Sequence, residues 1–200
     1  MSDNEAHKKA MQDVQSKHKA KIKEKKHSDR GLVLVHTGNG KGKSSSAFGV
    51  AARALGWGHQ VGVVQFIKGS WKTGEREFFK RFPEQLTWHT MGEGFTWNTQ
   101  DKERDIAAAQ SAFDKATALM QSGDYDLILL DEINIALRYD YLDVEKVIEA
   151  VESRNKRTSV VLTGRDAKQP LMDMADLVSE MKEIKHPFKA GIKAKQGIDY

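Results

Sequence analysis

A short glycine-rich stretch that ends in Lys43 and Ser44 has the residue types and the spacing needed to bind phosphate groups. Residues 38–44 read GNGKGKS and follow the apolar run 32–36. Glycines let backbone N–H groups approach phosphate oxygens, and the N-terminus of a following helix adds positive charge. Lys43 would reach the outer phosphates, and the Ser44 hydroxyl would contact a bound Mg²⁺. The stretch therefore predicts a phosphate-binding loop between a strand and a helix.

The loop departs from the usual G-x-x-x-x-G-K-[ST] pattern, because Thr37 stands where the first glycine belongs. A solvent-exposed glycine turn is the alternative, which the flanking strand and helix disfavour. The departure also warns of a nucleotide orientation unlike that in an ordinary kinase or ATPase. The predicted nucleotide-binding residues of the loop are Thr37, Gly38, Asn39, Gly40, Lys41, Gly42, Lys43, Ser44 and Ser45.

Two adjacent acids, Asp131 and Glu132, follow the apolar run 127–130. A carboxylate that ends a buried strand beside a phosphate loop is placed to hold Mg²⁺, directly or through water. A helix cap is the alternative for such a pair, and the presence of the phosphate loop favours the metal. Glu132 could instead activate water or bind ribose, and the residues by themselves leave these roles open.

Two further features could contact a ligand. Arg165 follows the strand-like run 158–163 and is a candidate clamp for phosphate charge, with a surface salt bridge as the alternative. Phe95 and Trp97 lie two residues apart in a glycine-flanked loop. They could insert together into a ligand or anchor the loop on the core.

The histidines do not have metal-ligand spacing, and we expect them to be structural. Those outside the first 30 residues are His36, His59, His89 and His186.

Apolar runs alternate with helical patterns throughout residues 31–200. Strands are predicted over 32–36, 61–66, 86–91, 127–132, 158–163 and 177–181, and helices over 43–55, 75–81, 101–121 and about 144–151. Several of the strands are continuously apolar, as strands buried on both faces are. The pattern predicts an α/β fold with a mostly parallel sheet covered by helices on both faces.

Composition limits the remaining function classes. The chain has 200 residues, enough for one domain over 31–200, and no cysteine, which excludes disulfides and thiolate metal sites. It has no signal-peptide pattern and no apolar run of membrane-spanning length, so we expect a cytoplasmic protein.

The positive charge is confined to a basic N-terminal arm, residues 1–30. The arm has nine basic and five acidic residues, an excess equal to the net charge of +4 of the whole chain. The balanced remainder gives no support for a nucleic-acid groove. Met11, Val14, His18 and Ile22 form a thin apolar stripe, but we favour a solvated, disordered arm over a helix that orders on docking.

Several segments resemble, in order, those of the ATP:corrinoid adenosyltransferases of the P-loop type. They read TGNGKGKS (37–44), VQFIKG (64–69), GFTW (94–97), LDEIN (130–134), TGR (163–165), EMKEIKHPF (180–188), GIKA (191–194) and GIDY (197–200). Ser44 replaces the family's more usual threonine and keeps the hydroxyl. The resemblance covers essentially all of residues 31–200 and implies a RecA-like P-loop fold.

The resemblance also implies a reaction. Such enzymes transfer the 5′-deoxyadenosyl group of ATP to the cobalt of a cob(I)alamin or related corrinoid and release triphosphate. Lys43, Lys41, Arg165 and an Mg²⁺ ion (with Mn²⁺ as the alternative) at Ser44 and Glu132 suit the charge of that leaving group. The family's aromatic pair, here Phe95 and Trp97, presses on the lower corrin face and displaces the axial ligand. Cob(I) is itself the nucleophile, so no protein base is required.

The resemblance further implies a homodimer, an arm that closes over the corrinoid, and an electron donor such as a reduced flavoprotein. Two other functions stay open from the residues alone. One is a P-loop kinase or ATPase with an unrelated substrate. The other is an ATP-dependent nucleic-acid-binding module that uses the basic arm, which the balanced charge of the body disfavours.

Overall fold

A computed structural model describes residues 3–25, 28–67, 72–90 and 101–200. Its strands are β1 (Val33–Thr37), β2 (Val61–Gln65), β3 (Leu86–Thr90), β4 (Leu127–Asp131), β5 (Ser159–Thr163) and β6 (Leu177–Glu180). Its helices are α1 (Asp3–Lys23), α2 (Lys43–Gly56), α3 (Gly74–Phe79), α4 (Lys102–Ser122), α5 (Ile133–Arg138), α6 (Val144–Glu152) and α7 (Gln169–Met174), with a final 3₁₀ turn at Pro187–Ala190.

The six strands form one sheet in the order β3-β2-β4-β5-β1-β6, and every pair of neighbours is parallel. This confirms the predicted α/β class. Parallel strands need crossover connections, which here are helical. All six strands consequently point their carboxyl ends toward the same edge of the sheet, which is where ligands bind in open α/β folds.

Side chains of the central strands alternate between two apolar cores, one on each face of the sheet. In β4, Leu127 and Leu129 pack with α2 and α3, whereas Ile128 and Leu130 pack with α4 to α7. All four side chains are at most 4% exposed. Burial on both faces explains why the sequence of β4 is continuously apolar.

The longer elements lie within one or two residues of their predicted bounds. Helix α4 begins after Asp101, whose side chain accepts a hydrogen bond from the N–H of Arg104 (3.1 Å), and ends at Gly123 with φ 81°. Helices α5 and α7 were not predicted. Each has six residues, too few for a helical period to stand out.

The basic arm differs from the expectation of disorder, because residues 3–23 form α1. Lysine, alanine, glutamine and glutamate dominate this segment and favour a helix. No residue of α1 is buried, so no packing stabilises the helix. In the part of the chain that the structure describes, α1 and the other helices are too short or too polar to cross a bilayer.

An ion pair joins the chain before β1 to the chain before β6. The guanidinium of Arg30 donates two hydrogen bonds to Asp176 (2.8 and 2.5 Å), and the N–H of Val33 donates a third (2.9 Å). Arg30, with burial opposing it, lowers the pKa of Asp176 from 3.8 to about 2. The ionised carboxylate therefore favours the folded state.

We expect Asp176→Asn to lower the free energy of unfolding at neutral pH. Because the pKa of Asp176 is depressed in the folded state, its contribution is full above about pH 4 and disappears as the pH falls through about 2. Denaturant unfolding at several pH values should thus show a difference between wild type and variant that shrinks toward pH 2. Asp173→Asn controls for the loss of one negative charge, and a pH-independent difference for Asp176→Asn would contradict the assignment.

Candidate nucleotide-binding site

The predicted site residues meet at the carboxyl edge of the sheet. Thr37 ends β1, Asp131 ends β4, and Arg165 lies two residues beyond β5. β5 lies between β1 and β4, so it joins the phosphate loop to the acidic pair. The fold thus brings together segments that are far apart in sequence.

The phosphate loop runs from β1 directly into α2. Gly42 precedes the helix with φ 110°, a left-handed conformation that favours glycine, and no side chain caps the helix. Lys43 is the first helical residue and is 8% exposed, and its Nζ donates a hydrogen bond to the carbonyl of Gly40 (2.5 Å). Ser44 and Ser45 follow in the first turn. The lysine side chain therefore folds back over its own loop.

Lys43 lies in a field of mixed charge. Burial lowers its pKa, Glu132 opposes that effect, and Arg165 lowers the pKa further. Asp166 also raises the pKa of Lys43, and Lys41 also lowers it. These effects place Glu132 and Arg165 within electrostatic reach of Lys43. An anion bound among the cations would stabilise the charged form of the lysine.

His36 supports the phosphate loop through a side-chain contact with α2. Its Nδ1 lies 2.9 Å from the Ser46 hydroxyl, which donates to the carbonyl of Lys43 (2.9 Å). This arrangement requires an N–H at Nδ1 of the ring. Burial lowers the pKa of His36, which favours the neutral imidazole. These contacts give His36 a role in supporting the loop.

The chain after β6 packs directly on the phosphate loop. The N–H of Gly40 donates to the carbonyl of Met181 (2.7 Å), and the N–H of Met181 donates to the carbonyl of Thr37 (2.8 Å). A Cβ atom at Gly40 would lie 2.8 Å from the backbone of Met181 and Lys182, so glycine is required for this approach. The N–H of Gly40 is therefore already used in a hydrogen bond within the protein. Phosphate oxygens would depend on the other N–H groups.

Asp131 is completely buried, and both of its carboxyl oxygens accept hydrogen bonds from side chains. Gln65 donates to one oxygen (2.9 Å) and the Thr163 hydroxyl to the other (2.8 Å). Gln65 in turn accepts from Trp88 (3.2 Å) and Thr90 (3.4 Å) in the edge strand. The network links four neighbouring strands beneath the site. Asp131 is thus held at the centre of this network.

Glu132 is held by its backbone. It adopts φ 64°, which is unusual for a residue other than glycine, and its N–H donates to the Thr163 hydroxyl (2.9 Å). Such strain persists only where the surrounding structure imposes it. Within the described ranges there is no cluster of three or more His, Cys, Asp or Glu residues suited to a metal. The two predicted ligands, the Ser44 hydroxyl and the Glu132 carboxylate, still fit Mg²⁺ in a phosphate loop, since this ion binds few protein groups besides phosphate and water.

A cavity of about 480 Å³ opens beside the loop. It is lined by Asn39, Arg165, Glu180, Lys182, Glu183 and Lys189. Three cations and two carboxylates give it a mixed, polar lining. A volume of this size accommodates part of a nucleotide.

Most of the predicted site is therefore assembled in one place, but not all of it lies in the described ranges. The loop, the acidic pair and Arg165 come together, whereas Phe95 and Trp97 fall in residues 91–100, outside the described residues. Sequence reasoning missed Gln65 and Thr163 as partners of Asp131. Their signal was weak: each is a single polar residue that ends an apolar strand.

Comparison of the sequence with known protein families shows which family the chain belongs to. The family model described as ATP:corrinoid adenosyltransferase BtuR/CobO/CobP matches residues 29–200. The chain belongs to this family. The match includes the phosphate loop, the acidic pair, Arg165 and the chain after β6, and it begins just before the end of the basic arm.

Curated adenosyltransferases from several bacteria are similar to this chain in sequence. The corrinoid adenosyltransferase of Pseudomonas aeruginosa is 55% identical over 172 residues, covering 86% of this chain and 85% of that protein. The Salmonella typhimurium enzyme is 45% identical over 172 residues (86% and 87%), and that of Escherichia coli K12 is 42% identical over 200 residues (100% of both). Among solved structures, the KaiC-like protein PH0186 of Pyrococcus horikoshii is 13% identical with a TM-score of 0.45 over 78% of this chain and 75% of that one, a likeness too weak to carry an inference.

We expect Thr163→Val to weaken both the fold and MgATP binding of this adenosyltransferase. The substitution removes one hydrogen bond to a buried carboxyl oxygen of Asp131 and one from the N–H of Glu132, at a cost of about 1–3 kcal/mol. On the prediction that Glu132 binds Mg²⁺, displacement of this residue should lower MgATP affinity about 10–100-fold, the range for groups that orient a metal ligand. Chemical denaturation and calorimetric titration would measure the two effects.

Thr158→Val provides the matched control for this prediction. The Thr158 hydroxyl is also buried and donates to the carbonyl of Tyr125 (2.7 Å), but it lies before β5, at the opposite end of that strand. We expect this variant to lose stability and keep its affinity for MgATP. Equal losses of affinity in both variants would show that Thr163 acts only through general stability.

Proposed function

We propose that this member of the family transfers the 5′-deoxyadenosyl group of ATP to the cobalt of a reduced corrinoid and releases inorganic triphosphate. The gathering of Lys43, Lys41 and Arg165 at one sheet edge is the observation that carries the chemical part of the proposal. These cations suit a leaving group that takes the whole triphosphate charge. The family match and the named relatives support the identity of the two substrates.

In this reaction, the electron pair of cob(I) attacks C5′ of ATP. The cobalt–carbon bond forms, the C5′–O bond breaks, and its electron pair goes to the triphosphate oxygen. The substrate supplies the nucleophile, so neither Asp131 nor Glu132 is needed as a base. The work of the protein is to orient C5′ toward the corrinoid and to stabilise the negative charge on the leaving group.

Mg²⁺ would be held by the Ser44 hydroxyl and the Glu132 carboxylate, with Mn²⁺ as a substitute. When bound, the ion supplies positive charge to the triphosphate oxygens. Asp131 lies next to Glu132 in the chain and takes a supporting role, since Gln65 and Thr163 donate to its oxygens. This division of roles refines the sequence-based assignment of both acids as metal ligands.

Phe95 and Trp97 are proposed to contact the lower face of the corrin. An aromatic face provides no lone pair to cobalt, so the displaced axial ligand is not replaced. The added electron then meets less repulsion, and Co(II) becomes easier to reduce. An electron donor such as a reduced flavoprotein would deliver that electron.

The wider setting is also a proposal. We infer a cytoplasmic homodimer in which α1 packs over the corrinoid. This helix is already formed and buries no residue by itself. Its basic residues suit contact with the anionic groups of the substrates or with an acidic surface. The balanced charge of residues 31–200 favours small anionic substrates over nucleic acid.

Product analysis tests the proposed function. Purified protein is incubated with MgATP and cob(I)alamin under anaerobic reducing conditions, and both the corrinoid spectrum and the phosphate product are measured. We expect a light-sensitive adenosylcorrinoid and an equal amount of triphosphate. ADP or orthophosphate with an unchanged corrinoid would overturn the proposal in favour of a kinase or ATPase.

Trp97→Ala should separate corrinoid reduction from alkyl transfer. We expect intact MgATP binding, slow adenosylation that starts from cob(II)alamin, and near-normal adenosylation of chemically reduced cob(I)alamin. Rapid kinetics from both corrinoid states would measure the split. Trp57→Ala is the matched control, since that indole is 80% exposed at the end of α2. An equal slowing from both corrinoid states would remove the proposed role of Trp97 in ligand displacement.

A further inference from the structure

The chain after β6, residues 181–200 (the tail segment), contacts the phosphate loop near both of its own ends. At its start, Met181 exchanges backbone hydrogen bonds with Thr37 and Gly40. Near its far end, Asp199 forms an ion pair with Lys41. The same segment thus holds the loop backbone and one of the loop cations.

Asp199 is shielded in a segment most of whose residues are exposed to solvent. Its side chain is 10% exposed, whereas Ile184 and Ile198 are 92% and 78% exposed. Lys41 retains half of its side-chain exposure in the pair. Glu183 of the tail also pairs with a lysine, Lys189, but the partner of Asp199 lies in the phosphate loop.

A compact turn presents the Asp199 carboxylate to the loop. The N–H of Lys195 donates to its second oxygen (2.8 Å), and its own N–H donates to the carbonyl of Lys195 (2.8 Å). The N–H of Gly197 donates to the carbonyl of Tyr200 (2.8 Å). The hydrogen bond from Lys41 lowers the pKa of Asp199, which keeps the carboxylate ionised at neutral pH.

The pairing conflicts with the proposed task of Lys41. A cation in a phosphate loop serves the nucleotide, yet here a carboxylate of the same protein occupies it. The two anions would repel one another at the same ammonium group. A triphosphate has more charge than a carboxylate and also engages Lys43 and Arg165, so it would take Lys41 from Asp199.

We infer that Asp199 is a further functional residue of the nucleotide site, which pairs with Lys41 and exchanges it with the triphosphate. Binding of ATP would release the turn at residues 195–200 from the loop. Departure of the triphosphate after adenosyl transfer would allow Asp199 to pair again with Lys41, which favours product release. The inference rests on the proposed function, because it takes the triphosphate group as the competitor.

Asp199→Asn tests the exchange directly. The amide keeps the shape of the side chain and an oxygen for the N–H of Lys195, but it has no negative charge. We expect magnesium tripolyphosphate to bind the variant about two- to fivefold more tightly than wild type, the range of a partly exposed ion pair. Calorimetric titration with this probe requires no corrinoid.

Glu77→Gln is the control, since it removes the carboxylate of a Lys–carboxylate pair on the surface, between Glu77 in α3 and Lys80 just after that helix (2.6 Å). We expect no change in tripolyphosphate affinity for this variant. Unchanged or weaker binding by Asp199→Asn, or equally tighter binding by the control, would overturn the inference.

Hydrogen exchange supplies a second arm. In wild type, magnesium tripolyphosphate should accelerate exchange of the amides of residues 195–200, because the turn loses its contact with the loop. Slower or unchanged exchange would mean that Asp199 stays in place, which overturns the inference. Both arms are independent of product analysis. If wild type released ADP instead of triphosphate, the proposed function would fail while these binding results would still stand.

Discussion

A buried carboxyl group at the end of β4 is the constraint on which the site depends. Burial of a polar group is costly unless its hydrogen bonds are satisfied, so the oxygens of Asp131 require donors at fixed positions. Gln65 from β2 and Thr163 from β5 meet that requirement. The need to satisfy one carboxyl group therefore fixes the alignment of three central strands at their carboxyl ends.

The consequences of that alignment reach the phosphate loop. Thr163 also receives the N–H of Glu132 and so holds that residue at its strained backbone angle. The carbonyl of His36, just before the loop, accepts a hydrogen bond from Gly164, the residue after Thr163 (3.2 Å). One set of short-range contacts thus positions Glu132, the phosphate loop and the chain segment that contains Arg165. A site that stabilises a leaving triphosphate needs such fixed geometry more than it needs an ionisable base.

The sequence was sufficient for those parts of the fold that local patterns encode. Continuous apolar runs located β2 and β4 to within a residue, and Gly123 marked the end of α4. The order of the strands has no local signature, so the partners of Asp131 could not be predicted. The contact of Met181 with the loop is made by backbone atoms, which no residue type reveals. Helix α1 was not predicted because its composition is compatible both with a helix and with a solvated, disordered chain.

In the proposed reaction, attack occurs at carbon, so the triphosphate leaves whole with every one of its oxygens. Turnover in ¹⁸O-enriched water, with mass analysis of all phosphate products, tests that claim directly. Unlabelled triphosphate as the sole phosphate product, in step with adenosylcorrinoid, is the predicted result. Release of ADP, or ¹⁸O in any phosphate product formed with the corrinoid, would show attack at phosphorus and contradict the account.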